Sequence, residues 1–152
     1  MNYLTFDELE RCGEMRAMCA CQQLRRANRG VTELYEAAMA PSGLNVTQLP
    51  VLVALGLGGD LSVSTLADVL ALDRTTLTRN LNVLEERGLV RTYEHPQDAR
   101  IRMASLTLEG SRVLAVALAG WEEVQRVVEE RFGRTRLRAL YEELAALGDA
   151  LA

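Results

Sequence analysis

Lysine is absent from this chain of 152 residues, so all 17 of its basic side chains are arginine. Each positive charge is therefore a planar fork suited to phosphates and base edges, although genome composition alone also explains such a bias. The formal net charge is −4. An average field of that sign does not draw the molecule to nucleic acid, so any nucleic-acid surface must be local. No apolar run approaches the roughly 20 residues that span a bilayer, and the start, MNYLTFDELER, is acidic where a secretion signal would be basic. The expectation is a cytoplasmic protein with no membrane partner. The three cysteines all precede residue 22, an odd and clustered set that excludes a secreted disulfide framework.

Histidine occurs once, as His95. Together with the lack of any HExxH run, glycine-rich phosphate loop or placeable Ser-His-Asp arrangement, this excludes the common catalytic designs, so no enzyme, cofactor or metal is expected. There are no repeats, low-complexity segments or linkers, and the length suits one folding unit, 1–152.

What is present is mostly helical pattern. In the first third, TFDELE offers Thr5 as a cap with Glu8 three residues on. From Ala17 an apolar stripe follows through Cys21, Leu24, Val31, Tyr35 and Ala38, stopped at APSG by Pro41 and Gly43. Gly13 puts the helix's continuity at Cys12 in question. VTQLPVLVALGLGGD predicts a second helix, capped by Thr47, with Pro50 in its first turn and Gly58-Gly59 at its end. Two more follow: one capped by Ser62 or Ser64 and holding Leu66, Val69 and Leu70, the other capped by Asp73 and stopped by Gly88. In the latter, Leu77, Leu81 and Leu84 share a face. The pair, joined by a tight turn, is a helix-turn-helix pattern.

Directly after it, LVRTY and RIRMASLT read as the strands of a basic hairpin, the position of a wing. Thr107 then opens a long helix closed by Gly133, and the last helix carries a stripe of Leu137, Leu140, Tyr141, Leu144 and Leu147. The fold class expected is mainly α with a small β-hairpin wing.

Opposite the leucine face of the fourth helix stand Thr75, Arg79, Asn82 and Glu86, flanked by Thr76 and Thr78. Its start is short, polar and basic, whereas Glu85 and Glu86 at its far end repel phosphates, so the N-terminal half is the one to enter a major groove. Arg79 is expected to read a base edge, with guanine its natural partner, and Asn82 suits adenine. Arg74, Thr75, Thr76 and Thr78 are expected at phosphates or thymine methyls. A solvated helix face is the plainer alternative. From Asp73 to Arg102 six arginines face five carboxylates, a local net of only +1.

Residues 44–110, LNVTQLPVLVALGLGGDLSVSTLADVLALDRTTLTRNLNVLEERGLVRTYEHPQDARIRMASLTLEG, resemble the MarR family of winged helix-turn-helix transcriptional regulators. The most specific pieces are LDRTTLTRNLNVLEERGLV, a wing with D-x-R, and the LT-x-x-G that follows. The resemblance implies that Asp98 orients Arg100 toward the DNA backbone or minor groove. The family's usual form has a further arginine between them where this chain has Ala99, so the wing would lean on His95, Gln97 and Arg102. A surface ion pair that only stabilises the turn is the alternative, worth about 0 to 1 kcal/mol.

The resemblance further implies a homodimer built by segments 5–40 and 111–152, with its two reading heads about one DNA turn, roughly 34 Å, apart. The apolar stripes of the end helices point the same way, since pairing across a two-fold axis would bury them. It implies, too, release of DNA by a small anionic or phenolic effector. Arg16, Arg25, Arg26 and Arg29 could attract an anion, but such a run is usually a solvated face.

Cys21 is expected as a buried small hydrophobe. For Cys12 and Cys19 the same plain reading stands beside a redox sensor. A metal site would need all three thiolates, which a single helix does not bring together. The function expected is that of a sequence-specific regulator on double-stranded DNA, a repressor released by ligand or thiol modification. The alternative is a winged-helix module that binds protein.

Overall fold

The computed structural model describes residues 3–151; residues 1, 2 and 152 of the expected unit lie outside them. The chain divides into two compact units, Met1–Leu34 and Tyr35–Ala152.

In the first unit lie α1, Phe6–Met18, and the start of α2, Ala20–Met39. The expected capping box is present: Thr5 accepts from the Glu8 N–H while Glu8 accepts from the Thr5 backbone N–H at 2.7 Å. Gly13 does not interrupt α1. The break falls instead at Cys19, whose backbone turns extended (ψ 110°). No glycine or proline marks it, and the freed Ala17 carbonyl is satisfied by the Gln23 side-chain amide at 3.0 Å. No residue of α1 is buried, and Leu24 and Val31 of the expected stripe are exposed.

The second unit begins in the last turn of α2. A single 3-10 turn, Ala40–Ser42, and Gly43 at φ 66° lead to α3, Leu49–Gly58. Thr47 does not cap α3. Asn45 instead holds the turn before it, its side-chain oxygen accepting from the N–H groups of Thr47 and Gln48 at 3.0 and 2.9 Å, and no side chain caps α3 itself. Next come β1, Leu61–Ser62, then α4, Val63–Leu70, capped by Ser62, and α5, Arg74–Glu86, capped by Asp73. The wing strands are β2, Val90–His95, and β3, Asp98–Leu106. After them come α6, Leu108–Phe132, capped by Thr107, and α7, Arg134–Leu151.

The sheet is antiparallel in the order β1-β3-β2, with Leu61 opposite Ala104 and Val90 opposite Leu106. Strand β1, unforeseen in the sequence, is two residues long, too short for any alternation to register. It pins the wing's base to the segment between α3 and α4.

The core gathers Met39, Val51, Leu52, Leu55, Leu66, Leu77 and Leu84, each at most 2% exposed. Burial of each such side chain contributes about 1.5 to 3 kcal/mol. The leucine face of α5 therefore seats that helix and leaves its opposite face to solvent. In α7 only Leu137 of the expected stripe is buried; Leu140, Tyr141, Leu144 and Leu147 stay 38 to 51% exposed. Among the described residues no helix is long and apolar enough to cross a membrane.

Candidate nucleic-acid interface

The turn between α4 and α5 passes through Ala71 in the left-handed region (φ 49°), a costly conformation for a residue with a Cβ. Asp73 then starts α5. Its carboxylate accepts from the Thr76 N–H at 2.9 Å and from the Thr76 hydroxyl at 2.6 Å. The hydroxyl first, and then the backbone N–H, hold the Asp73 carboxyl below the usual range. The Thr76 hydroxyl is thus engaged within the cap. The Thr78 hydroxyl donates back to the Arg74 carbonyl at 2.7 Å, which leaves a methyl, not a proton, for any partner.

Arg74, Thr75, Thr78, Arg79 and Asn82 line one shallow groove of about 420 Å³ along α5. Neither arginine has a carboxylate partner among the described residues, whereas Arg11, Arg29, Arg100, Arg102, Arg112, Arg126 and Arg134 do. A guanidinium without an internal partner keeps its fork for an external one.

In the wing, Asp98 and Arg100 form a two-pronged pair, Nε to Oδ1 at 2.9 Å and Nη2 to Oδ2 at 2.8 Å, and the Arg100 N–H also donates to Asp98. These bonds hold the Asp98 carboxyl below its ordinary value and the Arg100 guanidinium above its own. The Arg100 side chain is 90% exposed, so its outer edge remains open. His95 Nδ1 accepts from the Gln97 N–H at 3.2 Å, closing the tip.

Arg102 points elsewhere. It donates to the Thr92 hydroxyl and lies 3.8 Å from the Glu85 carboxylate. Glu85 in turn accepts from the Thr92 N–H and hydroxyl, each at 2.8 Å, bonds that hold its carboxyl low. The Glu85 charge, read from sequence as repelling phosphate, is spent in tying α5 to β2.

Sequence reasoning missed three further side chains. Asn80, buried on α5, takes a hydrogen bond from Thr47 at 3.2 Å. Arg87, just past α5, donates to the carbonyls of Gly43 and Ser42. Arg91 lies 5.1 Å above the ring of Tyr93, whose hydroxyl donates to Asp60. The partners of Asn80 and Arg87, and the Asp60 that Tyr93 reaches, lie 33 to 45 residues away, so no local pattern announces them, whereas Arg91 and Tyr93 are two apart on one face of β2.

The cysteines are free. Cys12 and Cys21 are exposed and Cys19 is half-buried, so the expectation of a buried small hydrophobe fails within the chain for Cys21 and for Cys12 alike. Among the described residues no group of three or more His, Cys, Asp or Glu is placed to hold a metal. In the first unit, Cys12, Arg16, Arg25, Arg26 and Arg29 border an open groove of about 680 Å³, where Arg29 is paired with Glu33 at 2.9 Å.

A model of the MarR family matches residues 42–101. The M. tuberculosis transcriptional regulator MosR, solved in complex with DNA, is 37% identical over 88% of this chain and 98% of that one, with a TM-score of 0.76. This chain belongs to the MarR family.

Within MarR-like proteins the similarity extends to CouR, a transcriptional repressor solved on a 23-mer DNA duplex, 28% identical over 90% of this chain and 96% of that one, TM-score 0.81. It extends also to YhbI of Bacillus subtilis, an uncharacterised HTH-type transcriptional regulator, 26% identical over 82% of this chain and 84% of that one. The winged-helix fold read from the sequence is therefore borne out. So is the expectation of a regulator and not an enzyme, since the MarR family consists of transcriptional regulators.

Proposed function

We propose that the chain is a sequence-specific repressor that binds double-stranded DNA as a homodimer in the cytoplasm. The observation that carries this reading is the set of side chains on the outer face of α5. There Arg74 and Arg79, without carboxylate partners among the described residues, share one groove with Thr75, Thr78 and Asn82. That chemistry suits a major groove, with Arg79 on guanine and Asn82 on adenine. Arg100, oriented by Asp98, serves the flanking backbone or minor groove, supported at the tip by His95 and Gln97. Arg102 adds positive charge at the wing but is committed in part to Thr92 and Glu85. Thr76 contributes through its cap.

In this reading residues 44–110 form the reading head, and segments 5–40 and 111–152 pair with those of a second copy. The exposure of Leu24, Val31, Trp121, Leu140, Leu144 and Leu147 supports such pairing, because unpartnered apolar stripes are costly in water. The DNA-bound states of MosR and CouR support the partner. Release follows when a small anionic or phenolic effector, or oxidation at Cys12 or Cys19, alters the spacing of the two heads.

Selection from random duplexes tests the proposal. Enrichment of an inverted repeat with half-sites about 10 base pairs apart is the expected result. Failure to enrich any motif, in reduced or oxidised buffer, would favour the other use of a winged fold, a module that binds protein.

A further inference from the structure

Three side chains tie α5 and its C-cap to the rest of the second unit. Asn80 bonds Thr47, Glu85 bonds Thr92, and Arg87 reaches back 44 residues to the turn that follows α2. There its Nη1 donates to the Gly43 carbonyl at 2.8 Å and its Nη2 to the Ser42 carbonyl at 3.3 Å.

The receiving turn is built to stay put. The Ser42 hydroxyl, in a buried residue, donates to the Met39 carbonyl at 2.7 Å and accepts from the Leu44 N–H at 3.1 Å. Glu36, in the last turns of α2, accepts from the Val46 N–H at 3.1 Å. Gly43 sits at φ 66°, and a Cβ there would stand 3.1 Å from Arg87 Nη2, so glycine supplies both the conformation and the room for the guanidinium.

Arg87 is also off the reading face. At about 100° per residue it falls about 80° round from Arg79 and about 120° from Thr75. Two of its five N–H donors are held by two backbone carbonyls. A guanidinium fork bonded to two adjacent carbonyls fixes direction as well as distance, which a single contact does not.

We propose that Arg87 is a positioning residue: its grip on the carbonyls of Ser42 and Gly43 fixes the pitch of α5 relative to the end of α2, and it acts on sequence recognition without touching DNA. This rests on the DNA-binding reading above. The grip joins the last turns of α2, through Glu36 and Ser42, to the C-terminal end of the reading helix. A helix tilted by the loss of that grip still presents its positive charge to phosphates but misplaces Arg79 and Asn82 against base edges. Sequence preference suffers and general affinity does not.

The test compares wild type, Arg87→Ala and Arg87→Lys on the duplex recovered by selection and on a random duplex of the same length, over a salt series, with melting temperatures alongside. For Arg87→Ala the expected result is a drop of about tenfold in affinity for the selected duplex. Random-duplex affinity, salt slope and melting temperature should hold. Lysine, able to donate to one carbonyl but lacking the fork, should restore preference only in part. A phosphate contact gives another signature: both affinities fall together, the salt slope shrinks by about one, and lysine restores binding. That outcome overturns the proposal, as does an unchanged preference. A fallen melting temperature with preference intact makes Arg87 merely structural and overturns it too. If the wild type shows no sequence preference, the DNA reading itself fails. Amide exchange in the DNA-free protein then decides the positioning role: Arg87→Ala should speed exchange in α5 and at Leu44, and unchanged exchange rejects it.

Discussion

Gly110→Ala is the substitution whose effect the structure fixes most tightly. Gly110 is buried in the first turn of α6, where its N–H is capped by the Thr107 hydroxyl at 2.9 Å. A Cβ there would lie 2.0 Å from the Leu89 carbonyl oxygen and 2.8 Å from Leu106 Cδ1. Real Cβ atoms essentially never come within 3.0 Å of a neighbour, so the shortfall against backbone is 1.0 Å. Leu89 cannot yield easily, being 2% exposed and fixed at the base of the wing. The start of α6 must instead move off it. That strains the Thr107 hydroxyl's bonds to the Gly88 and Leu89 carbonyls, at 2.7 and 3.1 Å, and the bond from the Thr107 N–H to Leu89, at 3.1 Å.

Two donors lost at about 0.5 to 1.5 kcal/mol each, with about 1 to 3 kcal/mol of overpacking, give an expected loss of about 2 to 6 kcal/mol. Against a total stability of about 5 to 15 kcal/mol this is severe. It corresponds to a fall of roughly 4 to 24 °C in Tm for a chain of this size. The assay is thermal and urea unfolding followed by circular dichroism at fixed protein concentration. Gly148→Ala is the control, because nothing lies within 4 Å of its Cβ position in α7, and alanine there should gain up to about 1 kcal/mol. A Gly110→Ala protein within about 1 kcal/mol of the parent would refute the packing argument at the junction of wing and α6.

The Asp98 carboxyl is held below its ordinary value of 3.8, by the Arg100 side chain first and its backbone N–H next. Because the folded value is the lower one, the pair's contribution is present above the unfolded value and is lost only as pH falls through the folded one. A carboxyl titration followed by NMR should place the Asp98 midpoint below 3.8; a midpoint at or above 3.8 contradicts the pairing. Cys19→Ser should leave DNA affinity unchanged in reducing buffer, as Cys19 is free and only half-buried. Binding lost in reductant would make Cys19 a folding residue and not a sensor.

Most of the helices were legible in the sequence because their signals are local. Thr5 with Glu8, Ser62, Asp73 and Thr107 each cap a helix within three residues of themselves. Gly59, Gly88 and Gly133 stop helices through positive φ. The face of α5 was equally plain, since the leucines that seat it define the opposite side. What escaped depends on distance along the chain. Strand β1 exists only because Leu61 and Ser62 find Ala104 and Met103. Two local readings failed as well: the break at Cys19 is satisfied from Gln23, and the turn before α3 is held by Asn45 with no cap from Thr47. Arg102 read as a wing contact to DNA, and Arg87 as generic positive charge. Only the fold shows the first spent on Thr92 and Glu85 and the second on the turn after α2.

The measurement that bears most directly on the proposed DNA reading is a titration of Arg79→Ala beside wild type, on the selected duplex and on variants changed one base pair at a time, at two salt concentrations. If Arg79 forks onto one base, the substitution should cost about 1 to 3 kcal/mol on the selected duplex. It should also erase discrimination at that single position while the others hold. Equal weakening on every duplex would place Arg79 at a phosphate, and no weakening at all would contradict the assignment of α5 as the reading helix.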